Sequence, residues 1–112
     1  MTPEKIDQLH SLLIEACDKH IANGGTIIDG TFSDGNSFCP ISCLVGNTTD
    51  VYVARNKIID LLGTEDVPVS NIWEFTDGFD GSYDGDEDSP PLAMLGQELR
   101  KKYIKGRKRW HY

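Results

Sequence analysis

Apolar residues recur at steps of three and four near the start of the chain: Ile6, Leu9, Leu13, Ala16 and Cys17, with His20 on the same face. At 3.6 residues per turn these positions share one side, so the spacing predicts an amphipathic helix. Thr2 is placed to cap it, Pro3 fills the first helical position where a missing N–H costs nothing, and Asn23-Gly24-Gly25 ends it. The same period returns at Val51, Ala54, Ile58, Leu61 and Leu62, opened by Thr49 or Asp50 and closed by Gly63. A third long helix follows from Leu92, Leu95, Leu99 and Tyr103, with Ser89 as cap and Pro90 and Pro91 in its first turn. Gly96 lies on that stripe and costs about 1 kcal/mol of helix propensity, so another element is expected to pack closely there.

Two shorter helices fit between. Pro40 opens and Gly46 closes the apolar run that begins at Cys39, a segment expected to be buried. Ser70 is placed to cap a helix presenting Ile72, Trp73, Phe75 and Phe79, expected to plug the core because aromatic side chains bury the most area. Thr26, Ile27 and Ile28 are β-branched and, with Thr31 and Phe32 beyond Asp29-Gly30, predict a short hairpin near 26–32; Ser33 to Ser37 read as turn formers. The expected fold class is mainly α. Residues 1–104 form one compact helical domain, to which a small two-stranded β-hairpin can be added, and residues 105–112 form a basic, aromatic tail.

A length of 112 residues closes one hydrophobic core and not two, and eleven glycines beside 38% hydrophobic residues suit a folded, loop-rich protein. No apolar run approaches the roughly 18 residues that a membrane span needs, and the N-terminus does not read as a secretory signal. Three cysteines are too few and too odd for a secreted disulfide framework, so reduced thiols in the cytoplasm are expected, without a membrane partner.

Charge changes the picture most. All eighteen acids lie between Glu4 and Glu98, while seven of the eleven bases are Arg100, Lys101, Lys102, Lys105, Arg107, Lys108 and Arg109. Residues 1–98 carry −14 and the last fourteen carry +7. The body repels nucleic acid and anionic surfaces, and only the terminus reverses that locally. Interleaved with Tyr103, Trp110, His111 and Tyr112, these bases offer phosphate neutralisation and base stacking to a nucleic acid; the plainer reading is that Arg100, Lys101 and Lys102 complement the negative end of the last helix.

Residues 77–88 hold six acids, Asp77, Asp80, Asp84, Asp86, Glu87 and Asp88, and no base. Calcium loops of the EF-hand type need a bidentate glutamate at position twelve, which falls on Pro91 counting from Asp80 and on Leu95 counting from Asp84. A solvated acidic face is the plainer reading. Cys17 and His20 on one helix, with Cys39 and Cys43 on another, supply four soft ligands of the kind zinc takes. Both pairs sit on apolar stripes, where a buried thiol acts as a small hydrophobe. Phosphate-loop, dinucleotide, zincin and hydrolase motifs are absent, no histidine is arranged as base to a cysteine, and no cofactor is implied.

Read in order, CPISCLVG at 39–46, IIDLLG at 58–63, WEFTDGFDG at 73–81 and LGQELRKKY at 95–103 form a set. It resembles small uncharacterised bacterial and phage proteins that carry a Cys-rich apolar turn, a Gly-Phe-Asp-Gly segment and a Leu-Gly-x-x-Leu-Arg helix. The resemblance implies a compact, mainly helical fold in a bacterial or phage setting, and no chemistry. The expected function is a non-enzymatic acidic interaction or regulatory protein that meets a protein partner through the 77–88 face. Nucleic-acid association through the basic terminus and zinc binding are the alternatives.

Overall fold

Thr2 caps the first helix as the sequence predicts, its Oγ1 accepting the Lys5 N–H at 3.2 Å. The computed structural model of the chain describes residues 2–30, 32–46, 50–64, 67–81 and 90–104. Within them lie α1 (Pro3–Ala22), β1 (Thr26–Ile27), β2 (Ser33–Asp34), β3 (Ser37–Phe38), α2 (Pro40–Val45), α3 (Val51–Leu62), α4 (Val69–Phe79) and α5 (Pro91–Tyr103). The fold is mainly α with a small three-stranded sheet. Asp50 is the cap of α3, its Oδ1 accepting the N–H groups of Tyr52 at 2.9 Å and Val53 at 3.4 Å. Gly63 closes α3 in the left-handed conformation at φ 64° and ψ 33°, which glycine adopts without a Cβ clash.

Five expectations change. The hairpin is not at 26–32: β2 and β3 pair antiparallel around Gly35-Asn36, and β1 joins parallel to β3, giving the order β1-β3-β2. Gly35 has φ +62° and Asn36 does not share it, the combination that suits a two-residue turn with glycine first. Residues 29 and 30 instead form a connection, with Gly30 at φ +83° and Asp29 carried inward. Second, α4 begins one residue before Ser70, after an extended Pro68, and has no side-chain cap. Third, Leu61 is 46% exposed rather than part of the α3 stripe. Fourth, Trp73 is 50% exposed and is not a core plug, although Ile72, Phe75 and Phe79 are buried as expected. Fifth, at α5 the expected cap and first turn also shift by one residue: the N-cap position is Pro90, which offers no side-chain cap bond, so Pro91 alone of the two prolines is helical, and Ser89 itself lies outside the described residues.

One contiguous core joins Leu9, Leu13 and Cys17 of α1 to Ile41 of α2, Ile58 and Leu62 of α3, Phe75 and Phe79 of α4, and Leu95 and Leu99 of α5. The closest approach is between α4 and α5. A Cβ on Gly96 would fall 2.6 Å from Phe79 N and nearer still to Phe75 O, and one on Gly78 would fall 2.8 Å from the Ala93 carbonyl carbon and nearer to its oxygen. The close packing expected at Gly96 is thus a backbone-to-backbone crossing with a glycine from each helix.

Basic side chains finish three of the helices from outside. Lys5 of α1 donates to Leu62 O at the end of α3, Lys57 of α3 donates to Val45 O at the end of α2 at 2.8 Å, and Arg100 of α5 donates to Phe79 O at the end of α4 at 2.9 Å. The final carbonyls of a helix lack intrahelical donors and carry its partial negative charge, so a cation satisfies both at once.

Gly96→Ala and Gly78→Ala test the crossing. Helix propensity alone favours alanine by about 1 kcal/mol. The obstructing atoms are backbone and do not swing aside, so overpacking of about 1–3 kcal/mol or more wins. Each variant is expected to unfold at lower urea concentration than the wild type; a midpoint at or above it would mean that the crossing has room for a methyl.

Candidate functional site

Arg100 stands one turn beyond Gly96 on the buried face of α5 and is itself only 9% exposed. Its Nη1 donates to Asp29 Oδ2 at 2.5 Å as well as to Phe79 O, and the Asp29 side chain is equally shielded at 9%. A lone charge at this depth costs several kcal/mol in lost hydration, so each ion is retained because the other is there. Beside this pair Asp80 Oδ1 accepts the Gly30 N–H at 2.8 Å. Two carboxylates therefore bind the 29–30 connection to the end of α4 and to α5, one to an arginine and one to an amide.

That junction borders a cleft of about 310 Å³ lined by Gly30, Phe32, Cys39, Trp73, Phe75, Thr76, Asp77, Phe79 and Asp80. Thr76 and Asp77 stand three and four residues after Trp73 on one face of α4, and Asp80, the C-cap of that helix, follows four residues after Thr76. The half-exposed indole of Trp73 lies near-parallel to Phe32, with ring centroids 6.4 Å apart and planes at 19°. Phe75 and Phe79 are buried, and Asp77 is exposed. The cleft thus combines aromatic faces with carboxylates, a combination that attracts cations with apolar stems.

The thiols form a separate cluster between α1 and α2. Cys17 is 0% exposed, and Cys43 is partly exposed. Interaction with the Cys43 thiol, and then burial, pushes the Cys17 thiol far above its ordinary range, while interaction with Cys17 draws Cys43 below its own. Burial raises Cys39 to about 11, against the pull of the first α2 amides. Tyr103, shielded and hydrogen-bonded to Asp18 at 2.8 Å, is also raised above its usual value. His20 takes no part in this cluster: its ring stacks on Phe38 at 4.4 Å and its Nε2 meets Asn36 O at 3.1 Å. Gly25 leaves room for that ring, since a Cβ there would collide with it. Among the described residues no three His, Cys, Asp or Glu side chains gather as a metal site.

The expected sites therefore separate. Of the acidic face, Asp77 and Asp80 are at the cleft, and Asp84, Asp86, Glu87 and Asp88 lie outside the described residues. Of the basic set, Lys101 and Lys102 are exposed, whereas Arg100 is withdrawn into an ion pair and is not presented to a polyanion. Lys105, Arg107, Lys108, Arg109 and Trp110 lie outside the described residues. Sequence reading missed Asp29 and Phe32. The one signal was an acid and an aromatic flanking Gly30, and pairing with positions 71 and 41 residues away left no local trace.

Removing either end of the buried pair, by Asp29→Asn or Arg100→Met, is expected to cost about 3–5 kcal/mol, because the other charge stays buried without it. The double variant is expected to be more stable than the sum of the two, as urea unfolding of all four proteins would show; strict additivity would mean the pair is not coupled. The raised protons of Cys17, Cys39 and Tyr103 set a second expectation. Groups whose folded pKa is raised stabilise fully below the ordinary value and lose that contribution as pH rises, and the lowered Cys43 acts oppositely. With three groups against one, the urea midpoint is expected to fall above about pH 9; a flat or rising midpoint would contradict this.

None of the protein-family models, curated proteins or solved structures compared with this chain matches it.

Proposed function

We propose that this protein is a non-enzymatic interaction protein whose acidic face takes up a basic segment of a protein partner, with the cleft beside Trp73 receiving a lysine or arginine side chain. The observation that carries the reading is a half-exposed indole set against Phe32, with Asp77 of the same helix and Asp80, its C-cap, lining the same cleft. An aliphatic stem lies along the rings while the cationic head meets the carboxylates. Asp84, Asp86, Glu87 and Asp88 follow directly in sequence and lengthen the run of negative charge. The −14 body supplies a field that speeds the approach of a basic partner at low salt.

Nucleic acid fits this surface less well, since the cleft is acidic and Arg100 is occupied. Among the described residues no helix is long and apolar enough to cross a membrane. Cys17, Cys39 and Cys43 are free thiols, which suits a reducing compartment, and the motif resemblance suits a bacterial or phage setting. We place the protein in the cytoplasm on those two grounds.

Titration with a short lysine- and arginine-rich peptide, followed by calorimetry, tests the reading. Trp73→Ala is expected to weaken binding about two- to fivefold, the size of one exposed cation–π contact. Asp77→Asn is expected to weaken it and to flatten its salt dependence. Equal affinity for the three proteins, or for a neutral peptide of the same length, would remove the proposal.

A further inference from the structure

Among the described residues, two of the aromatic rings lining the Trp73 cleft reach solvent. The indole of Trp73 is 50% exposed and Phe32 is half-buried, whereas Phe75 and Phe79 are each 1% exposed and offer no open face. The two accessible rings are near-parallel, with planes at 19° and centroids 6.4 Å apart, so they present flat surfaces in one orientation rather than walls that converge on a point. Carboxylates stand beside them. Asp77 is exposed and lies four residues after Trp73, one turn along the same face of α4. Asp80, at the helix end, has its Oδ1 on the Gly30 N–H at 2.8 Å, which fixes that carboxylate at the edge of the cleft.

We infer that the side chain this cleft takes from a protein partner is an arginine and not a lysine, an inference that rests on the acidic-face reading and narrows it. A guanidinium is a flat, weakly hydrated cation that stacks on an aromatic face while its fork of N–H donors meets a carboxylate. Both needs are met here, by ring faces in one orientation and by carboxylates at their border.

The competing cations fit less well. A lysine ammonium is compact and strongly hydrated, and it gains charge attraction from Asp77 without a flat surface to lay on the rings. A trimethylated lysine head is globular and is held by aromatic walls on several sides, which two near-parallel rings do not build, and it has no N–H for the carboxylates. The aromatic pair therefore selects among cations that the negative field of the body attracts alike.

Four lysine-rich peptides of one length test this, identical except for a central arginine, lysine, trimethyllysine or citrulline, the last keeping the planar head without its charge. Titrated calorimetrically into the full-length protein at low salt, the arginine peptide is expected to bind about threefold tighter than the lysine peptide, the scale of one exposed cation–π contact. The trimethyllysine and citrulline peptides are expected to bind no more tightly than the lysine one. Trp73→Ala, a change at a half-exposed position, is expected to bring the arginine and lysine peptides to equal affinity while both still bind through the carboxylates. Equal affinity of those two for the wild type, a tighter trimethyllysine peptide, or an arginine preference that survives in Trp73→Ala would overturn the inference and leave the acidic face standing. Binding of none of the four would remove both.

Discussion

Arg100 is the group on which the arrangement of the C-terminal half depends. It is a cation under the crossing of α4 and α5, held by Asp29 from the connection after β1 and by the last carbonyl of α4. Burying it separates the two possible roles of a basic residue at this point in the chain: it belongs to the interior, and the exposed bases begin at Lys101. The same interaction accounts for the failure of a hairpin at 26–32. With Asp29 turned inward and Asp80 holding Gly30, that stretch is fixed as a connection, and β1 pairs with β3 instead. It also positions the cleft, because Gly30, Phe32 and the end of α4 are fastened together at its edge.

Scarcity of positive charge gives the rest of the body a related logic. Residues 1–98 contain four bases, and three of them donate to main-chain carbonyls: Lys5 to Leu62, Lys57 to Val45, and Arg55 to Val67 at 2.6 Å. Together with Arg100, they place cations where backbone acceptors would otherwise be unmet. They are therefore committed to holding the fold. That allocation is what makes an acidic contact face physically plausible beside an aromatic cleft, and it is a property of placement rather than of net charge.

The α2 segment borders two cavities: Cys39, at its start, lines the cleft beside Trp73, and Ser42, Cys43 and Leu44 line a second cavity of about 410 Å³. All six residues of this helix are buried or half-buried. His20 stacks on Phe38, which ties the end of α1 to the sheet.

Local physics was legible from residues alone. The period of Leu9, Leu13 and Cys17, the caps Thr2 and Asp50, the left-handed stop at Gly63 and the close approach at Gly96 each depend on a few adjacent positions, and each appears where the sequence predicts it. The exposure of Trp73 and Leu61 was not legible, because periodicity marks a stripe and packing decides where its edge lies. Nor were the partners of Arg100 and His20, since a guanidinium chooses between solvent and interior according to whether a carboxylate far along the chain arrives beside it. The sequence by itself determined the helices, the caps at Thr2 and Asp50 and the segregation of charge, all set by neighbours within a turn or two. Only the tertiary structure decided which charges are spent inside and which aromatics face outward, because those depend on contacts between residues that nothing local obliges to come together.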